Sequence, residues 1–249
     1  MTGRVLTATR MGMRDQLRRP VLIGLMIAIP VIFILWGAKV TAEEPRDITL
    51  VGGWGVSTNM RILMTIVDVP VAIAFLSGLV GVFVVSAALQ GDRRLVISGY
   101  SPRQAILPRL AVLGAGVLVI ALVSLIVGAF VFTPEHHIAY LAGNLFTGLE
   151  YAAIGALAGA FMGRLGAIYF IFFLPNVDIG IVQDPLFFSG HPQWWAAALP
   201  GYGPTRLILA ASFNTGADML VPLLISLAWL VVLGAALVLL LERAVAPRT

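Results

Sequence analysis

Long apolar segments alternate with short polar ones along nearly the whole chain. Six of the apolar segments meet or nearly meet the length of about 17–25 residues that an α-helix needs to cross a bilayer. Helices are the expected form, because each backbone polar group in lipid must find its partner within its own segment. The pattern therefore predicts an all-α integral membrane protein with a single transmembrane domain. The predicted spans are residues 21–37, 62–89, 110–132, 138–162, 165–182 and 219–241.

The segment before the first predicted span, residues 3–19, has helical periodicity. Apolar residues fall on one face, and Arg10, Arg14 and Arg18 fall on the other. A basic amphipathic helix at this place is expected to lie in the membrane interface. It either anchors the first span or also contacts a cytoplasmic partner. Because this basic segment is long for a signal peptide, we expect the first span to be retained.

The polar segment between the second and third predicted spans, residues 90–109, contains a start signal for a helix. Ser101 suits the N-cap position and Pro102 the first helical position. The residues Gly99-Tyr100-Ser101-Pro102 break the segment in two. The apolar residues 95–97 before this break predict a short helix lying along the membrane, which could present charge to a cytoplasmic protein. A plain solvated loop is the alternative, and it explains the arginines of the segment but not the break.

The fourth predicted span combines small residues with one ionisable residue. Gly155, Gly159 and Gly163 recur at every fourth position, a spacing that lets helices approach closely in lipid. Glu150 lies near the middle of this span, where a charge is costly. It belongs either to a substrate path or subunit interface, or to a protonated, hydrogen-bonded contact that fixes helix packing. Asp68 lies near the outer end of its span, where hydration is expected.

Residues 176–218 form the longest stretch between predicted spans and are too apolar for a free loop. Their large apolar side chains include Phe187, Phe188, Trp194 and Trp195. Glycines and prolines divide the stretch into short pieces. A re-entrant outer hairpin of two short helices fits this pattern, because broken backbone at membrane depth is tolerated where protein or water covers it. A flat interfacial lid held by the two tryptophans is the alternative.

Charged residues are few and unevenly distributed. They make up 11% of the chain, against 59% hydrophobic residues, whereas an ordinary globular domain is about a quarter charged. With the N-terminus inside, twelve of the 16 basic residues fall in cytoplasmic segments. The positive-inside rule therefore places both termini in the cytoplasm. The basic residues follow loops rather than a soluble patch, which disfavours nucleic-acid binding. The four on the opposite side are Lys39, Arg46, Arg61 and Arg206.

Several classes of enzyme motif are absent from the sequence. The chain has no cysteine, which excludes Cys-ligated metals and thiol chemistry. A GxxxxGK[ST] phosphate-binding loop is excluded because the only lysine, Lys39, is followed by Val40. Neither an HExxH zinc motif nor a GxSxG elbow occurs. A membrane-embedded enzyme would need polar residues clustered at one depth, for which the candidates are His136, His137, Asp178, Asp184 and His191.

In the order of its elements the whole chain resembles a permease subunit of an ABC transporter, in the type-2 exporter class that includes bacterial antibiotic and drug exporters. Six spans with both ends inside follow a basic interfacial helix, as in that family. Asp92 stands where the family's coupling loop often carries Glu. The segments that carry the resemblance are Arg18-Arg19-Pro20, Gly91-Asp92-Arg93-Arg94, Ser101-Pro102-Arg103 and Leu199-Pro200-Gly201-Tyr202-Gly203-Pro204-Thr205-Arg206.

The resemblance implies roles for particular residues. A coupling helix that docks on a separate ATPase subunit would include Gly91, Asp92, Arg93, Arg94, Leu95, Ile97 and Arg103. The same contact would involve Arg10, Arg14, Arg18 and Arg164. The outer gate would be formed by Phe187, Phe188, Trp194 and Trp195. Glu150, Gly155 and Gly159 would line the pathway or pack the helices.

The resemblance also implies partners and a direction of transport. Two copies of the ATPase would bind ATP and Mg²⁺, whereas this chain would bind no cofactor or metal and would not itself be an enzyme. A second permease, identical or homologous, would complete a path for a lipophilic drug, antibiotic or lipid out of the bacterial inner membrane. A secondary transporter driven by an ion gradient is the main alternative. It would need paired ionisable residues or matching broken helices in two halves, whereas the sequence offers one intramembrane glutamate and one broken region.

Overall fold

A computed structural model describes residues 2–18, 20–97, 99–188, 193–213 and 215–245. Within these ranges the side chains at 2–6, 15–17, 21–22, 86–93, 95, 97, 103 and 245 are not described. Among the residues discussed above, Arg19 and His191 lie outside the described ranges.

Seven α-helices and one β-hairpin account for most of the described residues. A π-helical turn, Asp178–Val182, follows α5, and a 3-10 turn, Trp194–Ala198, precedes α6. The other elements are α1 (Thr2–Leu17), α2 (Pro20–Val40), β1 (Pro45–Leu50), β2 (Trp54–Asn59), α3 (Met60–Ile97), α4 (Pro102–Gly128), α5 (His137–Val177), α6 (Tyr202–Ser212) and α7 (Leu220–Val245).

Five helical segments among the described residues are long and apolar enough to cross a membrane. This confirms the predicted multi-pass, mainly helical membrane character. The α3 segment is 78% buried inside the bundle, whereas the α2 and α7 segments are 22% and 17% buried. The α3 helix is therefore the centre of the bundle, and α2 and α7 direct apolar side chains outward. The five segments are Ile23–Val40, Met60–Val85, Gln104–Gly128, Gly163–Val182 and Leu220–Ala244.

The long helix α5 doubles back on itself at Gly163. This residue has φ 71° and ψ 172°, a backbone conformation that glycine adopts without strain. The Tyr151 hydroxyl lies 2.6 Å from a carboxyl oxygen of Asp178, 27 residues further along the chain. In a straight helix these residues would be about 40 Å apart. The two arms, residues 137–162 and 164–177, therefore run antiparallel, so Gly163 is the turn of a helical hairpin.

The first arm of α5 runs parallel to α3. Gly148 of α5 packs on Ile73, and further along both helices Ala156 packs on Gly81. The helix α4 runs the opposite way, because its Gly116 packs on Val80 while its later residue, Gly128, packs on Val69. The end of α3 and the start of α4 thus lie beside the turn at Gly163.

Both described termini lie at this same end of the bundle. In α1, Gly12 packs on Val112 in the first half of α4. Near the end of α7, Leu241 shares an apolar cluster with Val85 and Ile106. We call this end the basic end and define it by α1, residues 94–109, Arg164 and Arg243. The opposite end carries the β1–β2 hairpin and is called the hairpin end.

The contact between α3 and the first arm of α5 depends on glycine. A Cβ atom at Gly81 would lie 2.0 Å from the carbonyl oxygen of Ala152, and one at Gly155 would lie 2.0 Å from the carbonyl oxygen of Gly78. Both distances are far below van der Waals contact, so the two backbones touch directly. Gly155 thus occupies a close helix crossing, whereas Gly163 serves the turn and Gly159 is half-buried.

The separate coupling helix expected before Ser101 is instead the last part of α3. The helix continues from Met60 to Ile97 and is about 57 Å long. It ends where Gly99 adopts φ +93°, a common way to terminate a helix. The predicted start at Ser101 is confirmed: its side chain caps the N–H of Gln104, and the Gln104 side chain caps the Ser101 N–H.

The β-hairpin at residues 45–59 was not predicted from the sequence. Its antiparallel strands are joined by a turn in which Gly52 and Gly53 have φ of +95° and +83°. Ile48 and Leu50 point into the protein and are 3% exposed, so one face of the hairpin extends the core. The hairpin is therefore an ordered cap on the helices.

The described residues between α5 and α7, which we call the outer stretch after their predicted side, fold into short elements, as the glycines and prolines suggested. The α6 helix has only 11 residues, and residues 203–212 are all buried. It packs between α5 and α7: Gly143 of α5 lies against Ile208, and Gly203 lies against Ser226 of α7. A short, apolar helix is thus enclosed by longer ones.

Candidate functional site

A buried hydrogen-bond network around Asp178 connects both arms of α5 to the start of α6. Oδ2 of Asp178 accepts hydrogen bonds from the Tyr151 hydroxyl at 2.6 Å and from the backbone N–H of Gly201 at 2.9 Å. Oδ1 accepts one from the side-chain amide of Gln183 at 3.3 Å. The three side chains are at most 1% exposed. We call these four residues the Asp178 network.

Local sequence explains why the network forms here. Gly201 has no side chain, and a Cβ there would lie 2.8 Å from the carboxyl group of Asp178. Its N–H belongs to the start of α6, where the helix dipole favours a negative group. Gln183 also donates to the carbonyl oxygen of Ala196 at 3.1 Å, which holds the 3-10 turn in place. The network therefore fixes the broken outer stretch to α5.

Glu150, the neighbour of Tyr151, is fully buried beside this network. Neither of its carboxyl oxygens has a hydrogen-bond partner among the described residues, so the expected hydrogen-bonded packing contact is not found there. Glu150 interacts electrostatically with Asp178. Two carboxylates in apolar surroundings cannot both carry charge at low cost. Glu150 is therefore a buried acidic group whose carboxyl oxygens find no hydrogen-bond donor among the described residues.

A second pair of carboxyl groups, Asp68 and Asp184, lies nearer the hairpin end. Asp68 is half-buried, and a Cβ at Gly37 would lie 2.6 Å from its carboxyl oxygen, so it packs directly on α2. Asp184 is 3% exposed, and this burial raises its pKa to about 6. A smaller effect acts in the opposite direction and lowers the pKa. The opposing effect is the 2.8 Å hydrogen bond that Asp184 accepts from the backbone N–H of Leu186.

The two carboxyl pairs belong to one region of the bundle. Val67 and Val71, which flank Asp68 on α3, pack on Tyr151 and Ile179. Asp68 also interacts electrostatically with Asp184. Both carboxyl pairs therefore lie near the contact between α3 and the end of α5.

The arginines expected at a partner contact lie at the basic end. Their described members Arg10, Arg14, Arg18, Arg94 and Arg164 are all exposed. The guanidinium of Arg164 lies 4.5 Å from the centroid of the Phe83 ring, which favours cation–π attraction.

The other expected coupling residues are known only by their backbone. Residues 91–97, which include Gly91, Asp92, Arg93, Leu95 and Ile97, are helical, and Arg103 lies in the first turn of α4. Apart from Arg94, the side chains of these expected coupling residues are not described.

The expected outer-gate residues lie beyond α5. Phe187 is 63% exposed, Trp194 is 87% exposed and Trp195 is 42% exposed, while Phe188 is half-buried. They project from the outer stretch, which the Asp178 network anchors through Ala196.

Of the polar residues considered for a membrane-embedded enzyme, His191 lies outside the described residues and His136 lies away from Asp178. The backbone N–H of His136 donates to the carbonyl oxygen of Ala211 at the end of α6, whereas Asp178 binds Gly201 at its start. The length of α6 separates these points by about 15 Å. Across the described residues, no group of three or more His, Asp or Glu side chains is placed to hold a metal ion.

Sequence reasoning did not identify Tyr151, Gln183 and Gly201 as partners of Asp178. One signal was available: in a helical hairpin that turns at Gly163, residues at similar distances on either side come together. Tyr151 lies twelve residues before Gly163 and Asp178 fifteen after it, so recognising the turn would have paired them.

Comparison of the chain with models of known protein families finds no match. A search of curated proteins also finds no match.

Proposed function

We propose that this chain is the permease subunit of an ATP-driven exporter of the ABC type-2 class. The observation that carries the proposal is the convergence of α1, the end of α3, Arg164 and the end of α7 at the basic end. The exposed arginines there include Arg10, Arg14, Arg94, Arg164 and Arg243. Such a surface suits a cytoplasmic ATPase. Two ATPase copies binding ATP and Mg²⁺, and a second identical or homologous permease, complete the exporter.

In this proposal the chain crosses the bacterial inner membrane six times. The first arm of α5, about 39 Å long, supplies a crossing in addition to the five apolar segments. With about 16 Å of length, α6 reaches only part of the way and forms the buried half of a re-entrant hairpin. The basic end faces the cytoplasm. The hairpin end, which also carries Glu43, Glu44 and Asp47, faces outward.

The packing of α3 supports a mechanism of alternating access. Its end lies at the basic end, and its backbone touches the first arm of α5 at Gly81 and Gly155. A movement imposed on α3 by the ATPase is therefore passed to α5 without flexible side chains between them. The Asp178 network transmits this movement to the outer stretch, which includes Phe187 and Trp194. The resulting shift of the outer stretch opens the path for a lipophilic drug, antibiotic or lipid.

Co-purification tests this proposal. The chain is co-expressed with candidate ATPase subunits, and ATP hydrolysis by the purified complex is measured. The double variant Arg93→Glu/Arg94→Glu is expected to lose the ATPase or its stimulation. Arg46→Glu, a single charge reversal at an exposed residue of the hairpin, is the control and is expected to keep both. Equal behaviour of all three proteins, or no captured ATPase, contradicts the proposal.

A secondary transporter driven by an ion gradient is the second candidate, and the two carboxyl pairs favour it. A single intramembrane glutamate argued against this class, whereas Glu150 interacts electrostatically with Asp178, and Asp68 interacts electrostatically with Asp184. In liposomes without ATPase, this class predicts solute movement under a proton gradient that Glu150→Gln abolishes. An absence of gradient-driven movement excludes it.

A further inference from the structure

A cavity of about 240 Å³ lies at the hairpin end, apart from the Asp178 network. It is lined by the turn between β1 and β2, by α6 and by the start of α7. Its walls are mainly apolar and include Leu50, Trp54, Leu209, Val221 and Ile225. The volume is below the roughly 300–1,000 Å³ of pockets for drug-sized ligands. The cavity therefore suits one chemical group with a short apolar extension rather than a whole drug.

One cation, Arg206 of α6, lines this apolar cavity. The residue is 6% exposed, and its Nε and Nη2 atoms find no hydrogen-bond acceptor among the described residues. Its one ring contact is with Tyr202, whose centroid lies 5.4 Å from the guanidinium carbon. A buried charge without a partner is strongly unfavourable. The guanidinium therefore lacks the anion that this environment requires.

Nearby acidic groups do not supply that anion. Asp218 also lines the cavity, but its carboxyl oxygens accept the backbone N–H groups of Leu220 at 2.9 Å and Val221 at 3.4 Å, at the start of α7. No ion pair within 4.0 Å joins Arg206 to a carboxylate in the described part of the chain. Asp218 caps α7 and forms no ion pair with Arg206, so among the described residues the Arg206 guanidinium is left without a carboxylate partner.

We propose that this cavity binds a single phosphate or carboxylate group carried by an amphiphile. The anion would pair with the Arg206 guanidinium, whose planar fork suits both groups, and the alkyl part would lie against Leu209, Val221 and Ile225. An apolar wall beside one cation favours an amphiphile over a small free anion. The site belongs to the outer half of the molecule and does not depend on the ATPase proposed above.

Calorimetric titration of the purified full-length chain in non-ionic micelles tests the site. The probes are decyl phosphate, inorganic phosphate and decanol. Decyl phosphate is expected to bind saturably with one site per chain, inorganic phosphate more weakly, and decanol without saturation. Arg206→Gln is expected to weaken decyl phosphate binding about tenfold or more. Arg46→Gln, which removes an exposed arginine of the same hairpin end, is expected to bind as the unaltered chain does.

A second variant keeps the test decisive if Arg206→Gln does not fold. Val221 is 54% exposed and lines the cavity, so Val221→Trp fills the space while leaving Arg206 in place. It is expected to weaken binding of decyl phosphate as well. Unchanged binding in Arg206→Gln or in Val221→Trp overturns the proposal. Inorganic phosphate binding as tightly as decyl phosphate overturns the assignment to an amphiphile.

Discussion

The bond between Tyr151 and Asp178 gives the sharpest test of how the two arms of α5 are held together. Tyr151→Phe removes the hydroxyl and leaves the ring in place. Asp178→Asn keeps the shape of the side chain but replaces one acceptor oxygen with a donor. Because Asp178 receives three donors, the asparagine must lose at least one of these hydrogen bonds.

The expected loss in the free energy of unfolding follows from the burial of this hydrogen bond and the charge of its acceptor. A hydrogen bond to a charged group contributes about 1.5–3 kcal/mol, and leaving a buried donor unsatisfied costs about 1–3 kcal/mol. We therefore expect each single variant to lower the free energy of unfolding by about 1.5–3 kcal/mol. Asp178→Asn removes the negative charge that strengthens the hydrogen bond which Tyr151→Phe deletes, so the double variant should lose less than the sum of the two single losses. The coupling energy should fall in the range of about 0.5–3 kcal/mol that contacting residues show.

Unfolding in mixed micelles by increasing dodecyl sulfate, followed by tryptophan fluorescence, measures these free energies. Tyr169→Phe is the matched control, because Tyr169 lies on the second arm of α5 and is 61% exposed. Its free energy of unfolding is expected to change by less than about 0.5 kcal/mol. Additive single variants, or a Tyr151→Phe variant as stable as Tyr169→Phe, would refute the role assigned to this bond.

Two further predictions concern packing and pH. Gly155→Ala should lower the free energy of unfolding by about 1–3 kcal/mol, because its Cβ meets the Gly78 backbone. Gly234→Ala, the control, has open space around its Cβ and should raise the free energy of unfolding by about 0.5–1 kcal/mol. Equal effects of the two variants in thermal unfolding would disprove the close crossing of α3 and α5. The pKa of Asp184 is raised from 3.8 to about 6 in the folded protein, so its contribution to stability is full below pH 4 and is lost as pH rises toward 6 and beyond. Asp184→Asn should remove a decline of about 3 kcal/mol over that interval, and a pH-independent difference between variant and unaltered chain would contradict this.

The apolar pattern predicted the long helices because their length and composition are local properties. Ser101 and Pro102 likewise marked the start of α4, since an N-cap acts within a few residues. The boundary between the second predicted span and the coupling segment was wrong, because α3 continues through Gly91 and ends only before the positive-φ position at Gly99. The β-hairpin was missed because its strands are short and are stabilised by packing Ile48 and Leu50 on the helices.

The candidate sites depend on contacts that no local pattern contains. Glu150 stood out in the sequence as an ionisable residue inside an apolar span, yet its neighbour Asp178 comes from beyond the turn at Gly163. Arg206 looked like one of four basic residues on the outer side, and only the enclosure of α6 by α5 and α7 makes it a buried cation. Features set by neighbouring residues were thus predictable from the sequence, whereas contacts between residues far apart in the chain were not.

Capture of an ATPase by the purified chain tests the central claim most directly. The proposed exporter predicts a stable complex whose ATP hydrolysis is lost or uncoupled by Arg93→Glu/Arg94→Glu and is retained by Arg46→Glu. A chain that binds no ATPase and instead moves solute in liposomes under a proton gradient, in a manner that depends on Glu150, would contradict the exporter and establish the ion-driven alternative.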